Sequence, residues 1–274
     1  MNLKDKFIYT YTRLFGRARF FKINFLLMRL GLSGMGVMNY QDYFISGEDY
    51  FKKFVTEKYK PQVIFDVGCN EGNYTAPMIG SGADIHCFEP VPKTYDRLTR
   101  RFKQYANVKV NKLGLSNDKA STFIYDYATG DGSSHASLFE ENINYGKDLP
   151  VSKIEVQLDT LDNYVEAHNI TEIDLLKIDT EGNEIFVLQG AKDCLASKKI
   201  KVLQFEFSYL NKSAGSFFKD FFDVLEGYNL YRLLPQGFFP LSENQQPLLY
   251  EQYAFQNVVA FRKDIDIIIP LPKV

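Results

Sequence analysis

The sequence predicts a doubly wound α/β fold, in which a mostly parallel sheet carries helices on both faces. From Pro61 onward, short apolar runs alternate with helical patterns, which is typical of parallel strands joined by crossover helices. One of these runs also leads into a glycine-containing turn that opens a helix, as at the ligand-binding edge of such sheets. We therefore expect one domain over residues 61–274.

Seven strands and five crossover or flanking helices are predicted. The strands cover 62–67, 83–88, 107–112, 172–179, 200–207, 228–234 and 253–262. The helices cover 73–81, 92–104, 160–168, 183–197 and 214–226. The last strand is expected to form the antiparallel pair that is common at the edges of such sheets. Residues 127–150 break the alternation and are rich in Gly, Ser, Asp and Asn, which predicts a substrate-facing or lid loop.

Composition and charge restrict the function classes. The chain has 274 residues, 45% of them apolar and 24% charged, which indicates a folded protein with its own core. Its 32 basic and 34 acidic residues give a net charge of −2, so no nucleic-acid partner is expected. Cys69, Cys87 and Cys194 have unrelated spacings, which excludes a disulfide framework and a zinc pattern and favours a cytoplasmic location. No long apolar segment or signal layout is present near the start.

Residues 1–60 are predicted to form a helical extension. Apolar residues recur in steps of three and four between residues 5 and 31, on one face of a helix, and a second helix is expected over 48–59. The first 30 residues carry seven Lys or Arg against Asp5 alone, a net charge of +6. Such a helix packs on its own domain or a second subunit, or lies on an anionic membrane surface. A homodimer and a peripheral membrane contact therefore both remain open.

The turn after the first strand is the strongest local signal. Asp66, Gly68, Asn70 and Gly72 lie in it, and its glycines permit positive φ and close approach of a ligand to the backbone. A dinucleotide site would have a glycine where Asn70 stands. Asp66 would repel a phosphate, but it can accept hydrogen bonds from an ammonium group. S-adenosylmethionine therefore fits this turn better than NAD, and these four residues are the predicted cofactor contacts.

Two further positions complete the predicted cofactor site. Glu89 follows the second strand, 23 residues after Asp66, where a carboxylate accepts hydrogen bonds from both hydroxyls of a ribose. Gly114 and Leu115 follow the third strand, where an adenine ring can lie against apolar side chains.

Acidic residues at the end of the fourth predicted strand are the candidates for catalysis. Carboxylates at the tip of a buried strand are costly unless they are paired or used. We expect Asp179 to orient the acceptor or take its proton, with Glu181 and His135 as alternatives. Glu206, in the apolar fifth strand, is interpreted either as a base or as the partner of Lys177.

A metal site and a helix-capping role are the competing interpretations. Asp179, Glu181 and Glu206 offer oxygen ligands, but no second ligand pair has a clear spacing, so no metal is expected. Glu184 lies near the start of a predicted helix, where negative charge is favoured without any catalytic role.

At these residues the sequence resembles the FkbM family of methyltransferases. The resemblance is carried by Phe65-Asp66-Val67-Gly68-Cys69-Asn70-Glu71-Gly72, Phe88-Glu89-Pro90, Thr160-Leu161-Asp162, Leu176-Lys177-Ile178-Asp179-Thr180-Glu181-Gly182-Asn183-Glu184 and Leu203-Gln204-Phe205-Glu206. It covers residues 62–262 and implies a Rossmann-like class I fold and S-adenosylmethionine as cofactor. Cys69 stands where the family commonly has Ala, and Thr180 where Val is frequent.

The same resemblance implies O-methylation of a sugar, a glycan or a secondary metabolite, so a small-molecule or glycan acceptor is expected. A non-catalytic subunit is the alternative from a different class. It would keep the cofactor fold and dock on a partner or a membrane through the N-terminal helix.

Overall fold

The computed structural model describes residues 2–127, 136–143, 150–267 and 269. The chain begins with helices α1 (Leu3–Phe15), α2 (Phe21–Gly34) and α3 (Glu48–Phe54). The elements that follow, in chain order, are β1 (Val63–Val67), β2 (Asp84–Phe88), α4 (Pro92–Phe102), β3 (Val108–Asn111), β4 (Gly114–Leu115), β5 (Ala120–Tyr127), α5 (Glu140–Ile143), β6 (Val151–Asp159), α6 (Leu161–Ala167), β7 (Ile173–Ile178), α7 (Glu184–Gln189), α8 (Lys192–Ala196), β8 (Ile200–Phe207), α9 (Phe218–Val224), β9 (Tyr228–Leu234), β10 (Gly237–Leu241) and β11 (Gln256–Arg262).

The described strands form two sheets. The main sheet has eight strands in the order β10-β9-β11-β8-β7-β1-β2-β3. The five strands from β8 to β3 are parallel, and β11 is antiparallel to both β8 and β9. The predicted doubly wound, mostly parallel fold and its antiparallel edge are confirmed.

The main sheet has one strand more than the seven that the sequence predicts. The additional strand is β10, which pairs with β9 at the edge of the sheet. It contains Pro240, and proline is tolerated in strands mainly at such edges, which is why the pattern did not indicate a strand. A second sheet of three strands, in the order β4-β6-β5, was not predicted either.

Apolar side chains cover both faces of the main sheet. Leu176 of β7 packs with Phe65 and Phe205 in one buried cluster, whereas the preceding Leu175 packs with Ile64 in another. This alternation follows from the two-residue period of a strand. Because every residue of β7 is buried, its carboxyl end delivers polar residues directly to the edge of the sheet.

The N-terminal segment differs from the predicted single helix. Residues 5–31 form two helices because the chain leaves helical geometry after Gly16, and Arg17 is extended with φ −128° and ψ 147°. No residue of α1 or α2 is buried, and only Leu32 and Ser33 at the end of α2 are half-buried next to the body, so most of the pair does not pack on its own domain. By contrast, Phe51 of α3 is fully buried in the core. No helix in the described ranges is long and apolar enough to cross a membrane.

Predicted helices 183–197, 73–81 and 214–226 are divided or shorter, the last being reduced to α9, whereas the predicted helix over 48–59 is continuous. Residues 183–197 form α7 and α8, which meet at Gly190, where a Cβ atom would lie 2.0 Å from the carbonyl oxygen of Ser116. Residues 73–81 contain only the short 3-10 helix Ala76–Ser81, and α3 continues beyond its last residue as a π-helical turn.

Candidate active site

Two clefts lie side by side at the carboxyl edge of the parallel strands. Gly68, Asn70, Asp179 and Glu181 line both of them. The first, the apolar cleft, is lined mainly by Val67, Pro90, Val91, Leu115, Ile124, Leu138 and Leu158, with Glu89 among them. The second, the acidic cleft, is lined by Tyr43, Glu48, Glu71, Tyr74, Lys177 and Glu206 besides the shared residues. Its volume of about 590 Å³ lies within the roughly 300–1,000 Å³ of small-molecule sites.

Gly68 brings the turn after β1 against the end of β7. Its φ is +77°, and a Cβ atom there would lie 1.8 Å from the carbonyl oxygen of Asp179. Its N–H donates to the carbonyl oxygen of Phe88 at 3.0 Å, so the ends of three neighbouring strands meet at this residue. A side chain at position 68 would separate them.

Glu89 lies at the end of β2 and lines the apolar cleft. Its carboxylate accepts the N–H of Asn70 at 3.1 Å and that of Val91 at 2.9 Å. Burial raises the pKa of Glu89 to about 7, despite these two donors. A carboxylate has about four acceptor positions, so two remain for ligand hydroxyls. The predicted ribose contact stays a prediction that this position supports.

Asn70 places an unpaired acceptor between the two clefts. Its φ is +45°, and its Oδ1 atom is buried without a hydrogen-bond partner in the described part of the chain. Buried polar atoms are rarely left unpaired, so a donor from a bound ligand would satisfy this oxygen.

Gly114 and Leu115 lie on the wall of the apolar cleft, where an adenine site was expected. A Cβ atom on Gly114 would lie 2.5 Å from the side chain of Leu158. The carbonyl oxygen of Leu115 accepts the side-chain amide of Asn183 at 3.0 Å, which ties β4 to the turn after β7.

Asp66 and Gly72 line neither cleft, so their predicted contact with the cofactor stays a prediction without support from the cleft linings. The carboxylate of Asp66 is fully buried and accepts the hydroxyl of Thr75 at 2.6 Å, because the side chain points to a helix-covered face of the sheet. Gly72 has φ +78°, and a Cβ atom there would lie 2.4 Å from the ring of Phe102. Both residues therefore stabilise the turn after β1 through contacts within the protein.

Lys177 is the buried cation of the acidic cleft. Its Nζ lies 2.8 Å from Asp179 Oδ2 and 3.9 Å from Asp66 Oδ1. Burial alone would lower the pKa of Lys177, but the carboxylates of Asp179, Asp66 and Glu48 outweigh it and raise that pKa well above its ordinary value. Within the described ranges, Glu206 is not among its ion-pair partners, so the predicted Lys177–Glu206 pair is corrected.

Glu181 and Glu206 are half-buried carboxyl groups that line the acidic cleft. Burial, reinforced by Asp179 and other nearby carboxylates, raises the pKa of each well above its ordinary value. Glu181 has φ +54°, and its carbonyl oxygen accepts the hydroxyl of Ser137 at 2.7 Å and the amide of Asn142 at 3.0 Å. Ser137 and Asn142 therefore both fix the backbone of the turn after β7.

The side chain of Glu184 stabilises the same turn through hydrogen bonds. Its carboxylate accepts the backbone N–H groups of Thr180 at 2.8 Å and Gly182 at 3.1 Å, and the side-chain amide of Asn211 at 2.6 Å. It lines neither cleft, and its place at the start of α7 agrees with the capping interpretation. The other catalytic alternative, His135, lies outside the described residues.

Several residues of the acidic cleft escaped the sequence reasoning. Glu48 and Tyr43 come from the N-terminal segment, and nothing in their local sequence indicates a site. Beneath them, Gln204 donates to Glu48 at 3.0 Å and accepts the hydroxyl of Tyr74 at 2.6 Å. A glutamine inside the apolar run of β8 was the one available signal. No group of three or more His, Cys, Asp or Glu side chains in the described ranges is arranged to hold a metal ion.

Comparisons with known proteins assign the chain to a family. The model of the Methyltransferase FkbM domain matches residues 66–233. Hexuronic acid methyltransferase AglP of Haloferax volcanii is 26% identical over 158 residues, which cover 57% of this chain and 61% of that protein. For 2-O-methyltransferase NoeI of Sinorhizobium fredii, the identity is 25% over 189 residues, 64% of this chain and 75% of the relative. Methyltransferase 1 of Beauveria bassiana is 31% identical over 147 residues, 47% of this chain and 58% of that protein.

The residues that line the apolar cleft and its junction with the acidic cleft suit the methyl donor of that family, although the cavity of the apolar cleft measures only about 70 Å³. The apolar cleft offers apolar walls to an adenine ring and Glu89 to a ribose, while Asn70 Oδ1 offers an unpaired acceptor to an ammonium group. The chain belongs to the FkbM family of S-adenosylmethionine-dependent methyltransferases.

Proposed function

We propose that the chain transfers the methyl group of S-adenosylmethionine to a hydroxyl oxygen of a sugar or glycan. The observation that carries this proposal is the acidic cleft, which shares four lining residues with the apolar cleft. An acceptor bound in it therefore lies beside the cofactor. Carboxylates accept hydrogen bonds from sugar hydroxyls, and Tyr43 and Tyr74 also line this cleft.

The names of two relatives support a sugar as the acceptor. AglP is named a hexuronic acid methyltransferase and NoeI a 2-O-methyltransferase. The chain spans 61% of the length of AglP and 75% of that of NoeI, so the acceptor is proposed for this chain and not transferred from them.

Asp179 is the proposed base. When bound, S-adenosylmethionine supplies an electrophilic methyl group on a positively charged sulfur. The acidic cleft would align the acceptor hydroxyl toward that methyl group, and Asp179 would take the proton of the hydroxyl. The carboxylate is suited to this because its side chain is 36% exposed at the junction of the clefts and its Oδ2 is held by Lys177.

Glu181 is the alternative base. Its pKa is raised well above the ordinary value by burial, with Asp179 and Glu184 adding to this effect. A raised pKa makes the carboxylate form a stronger base. Glu181 also lines both clefts, so the two residues have to be distinguished by experiment.

A turnover assay on the full chain tests this function. Formation of S-adenosylhomocysteine is measured with glycosides of a uronic acid and of a neutral hexose as acceptors. Asp179→Asn is expected to retain binding of S-adenosylmethionine but lower kcat by roughly 10²- to 10⁴-fold. The matched control is Asp118→Asn at an exposed position, which leaves kcat unchanged. Normal turnover in Asp179→Asn together with its loss in Glu181→Gln would move the base to Glu181.

The non-catalytic alternative gives a different result. The exposed α1 and α2 helices are the observation that favours a docking subunit. Such a protein binds S-adenosylmethionine, measured by calorimetry against NAD as a control, but releases no S-adenosylhomocysteine with either glycoside. Turnover with either glycoside would exclude it.

A further inference from the structure

The N-terminal helix pair, α1 and α2 over residues 3–34, leaves its apolar side chains exposed. No residue of either helix is buried. The large apolar side chains in the pair with more than a third of their surface exposed are Leu3, Phe7, Ile8, Tyr9, Leu14, Phe15, Phe21, Ile23, Phe25, Leu26, Leu27, Met28 and Leu30. Exposed apolar clusters of this extent mark interaction surfaces in folded proteins.

The second helix of the pair is apolar around most of its circumference. Its long polar side chains are Lys22, Asn24 and Arg29. Asn24 is used within the pair, since it accepts the hydroxyl of Tyr11 at 2.6 Å and donates to the carbonyl oxygen of Phe15 at 3.0 Å. Lys22 and Arg29 are two helical turns apart and share one face. The helix therefore presents one basic stripe and otherwise apolar surface.

The observations on this surface exclude several occupants. The body of the protein covers at most the last turn of α2, because no residue of the pair is buried and most of its large apolar side chains before residue 31 are exposed. The pair cannot span a bilayer either, since α2 has 14 residues, about 21 Å, against a hydrocarbon core of about 30 Å. A second copy would cover one face of α2, whereas apolar side chains lie on most sides of it. It would also bring together two segments that each carry a net charge of +6.

We propose that the N-terminal helix pair docks the protein on an anionic membrane surface. An amphipathic helix lies in the plane of the interface with its apolar side chains among the acyl chains and its Lys and Arg side chains at the headgroups. The seven basic residues of the segment match the negative charge of such a surface. The helix pair lines neither cleft, so docking does not depend on methyl transfer.

The proposed docking surface is joined to the acidic cleft. Arg232, itself buried, donates from Nη1 to the carbonyl oxygen of Met35 at 3.2 Å and so ties the end of α2 to the body. Between this point and α3, Tyr40 and Phe44 are 61% and 55% exposed, and Tyr43 lines the cleft. Exposed apolar side chains thus continue along the chain from the helix pair to a residue that lines the acidic cleft.

Vesicle sedimentation with the full chain tests the proposal. Binding is compared between vesicles of phosphatidylcholine alone and vesicles that also contain phosphatidylglycerol, at low and high salt. We expect binding to the anionic vesicles that weakens as salt is raised, and much weaker binding to the neutral ones. Equal binding to both kinds of vesicle, or binding to neither by folded protein, would overturn the proposal.

Charge reversal identifies the surface responsible. The double variant Lys22→Glu, Arg29→Glu is expected to bind anionic vesicles roughly 25-fold less tightly or worse, since each basic side chain strengthens such binding by roughly fivefold. The matched control, Lys103→Glu with Lys112→Glu, makes the same charge change at exposed positions of the body and is expected to change binding much less. Equal losses in the two double variants would show that only net charge matters and would remove the helix pair from the proposal.

If a second copy of the chain covered the helix pair instead, a different experimental result would follow. The variant Leu26→Asp, with folding checked by circular dichroism, is expected to lose vesicle binding while the protein stays monomeric in analytical ultracentrifugation. A wild-type dimer that this variant dissociates, without vesicle binding in either protein, would assign the surface to a second copy of the chain instead.

Discussion

At the scale of single residues, buried carboxyl groups dominate the chemistry of this protein, and the neighbours of each group set its behaviour. Asp66 faces a cation and a hydroxyl inside the protein. Glu184 is surrounded by donors and holds a turn together. Glu89 and Glu181 instead line a cleft. All four are carboxyl groups at or near the carboxyl ends of parallel strands, so what surrounds each side chain contributes strongly to the difference.

Glu89 predicts a specific dependence of stability on pH. Its pKa is raised by burial from about 4.5 to about 7, so the folded state binds the proton more tightly than the unfolded state. Its contribution to the free energy of unfolding, about 3 kcal/mol, is full below pH 4.5 and is lost as the pH rises through 7. Urea unfolding across this range is expected to show that loss in the wild type and not in Glu89→Gln. The control is Glu166→Gln, on an exposed face of α6, which keeps the slope of the wild type.

The buried cation Lys177 predicts a large loss of stability when it is removed. Lys177→Met leaves the carboxylates of Asp66 and Asp179 without their cation, and breaking a buried pair in this way costs about 3–5 kcal/mol. Lys219→Met removes an exposed partner of Glu243 and is expected to cost at most about 1 kcal/mol. Free energies of unfolding measured in urea compare the two. Equal costs would mean that Lys177 does not balance buried charge.

At the scale of elements, close approaches between backbone segments position the two clefts. The turn after β1 touches the end of β7 at Gly68, and the junction of α7 and α8 touches the turn after β4 at Gly190. Both contacts join segments that are distant in sequence. A local helical or strand pattern contains no information about them, which explains why the division of the predicted helix 183–197 was missed.

Gly190→Ala tests the importance of one such approach. The added Cβ atom would lie 2.0 Å from the carbonyl oxygen of Ser116, so the backbone on one side has to move. We expect a loss of about 1–3 kcal/mol in the free energy of unfolding, as for other overpacked sites. At Gly227 nothing lies within 4 Å of the corresponding atom, so Gly227→Ala is the control and is expected to change stability little. An unchanged Gly190→Ala protein would show that α7 and α8 tolerate a wider separation from the β4 turn.

At the scale of the whole molecule, the N-terminal segment divides into an exposed part and an integrated part. The helix pair buries none of its residues, whereas α3 places Phe51 in the core and Glu48 beside the acidic cleft. The predicted extension over residues 1–60 therefore joins two structurally different stretches. Its boundary with the domain stays a prediction, because the helices that follow α2 belong to the packed body.

Deletion of residues 1–30 tests this division. Because the deleted part buries no side chain, the free energy of unfolding is expected to change by less than about 1 kcal/mol, with unchanged affinity for S-adenosylmethionine. Phe51→Ala, within the same predicted extension, is expected to cost about 3–5 kcal/mol because it empties part of the core. Urea unfolding and calorimetry measure both quantities. A large loss of stability in the truncated protein would show that the rest of the chain depends on residues 1–30 for its stability.

Local patterns were sufficient for most elements and for part of the site. The apolar runs located seven strands of the main sheet, and the glycine turn and Glu89 were recognisable from their spacing along the chain. These features depend on residues close in sequence, whose periodicity and backbone preferences act before any tertiary contact forms.

Tertiary packing decided the remainder. Glu48 meets Gln204 across 156 residues of sequence, Lys177 pairs with Asp66 and Asp179 and not with Glu206, and Asp66 turns into the core. The strand pattern shows which residues share a face, but the pairing of strands and the burial of each carboxylate depend on the whole chain. Charge pairing is determined by distance in space and by burial, and neither quantity is encoded within a short stretch of sequence.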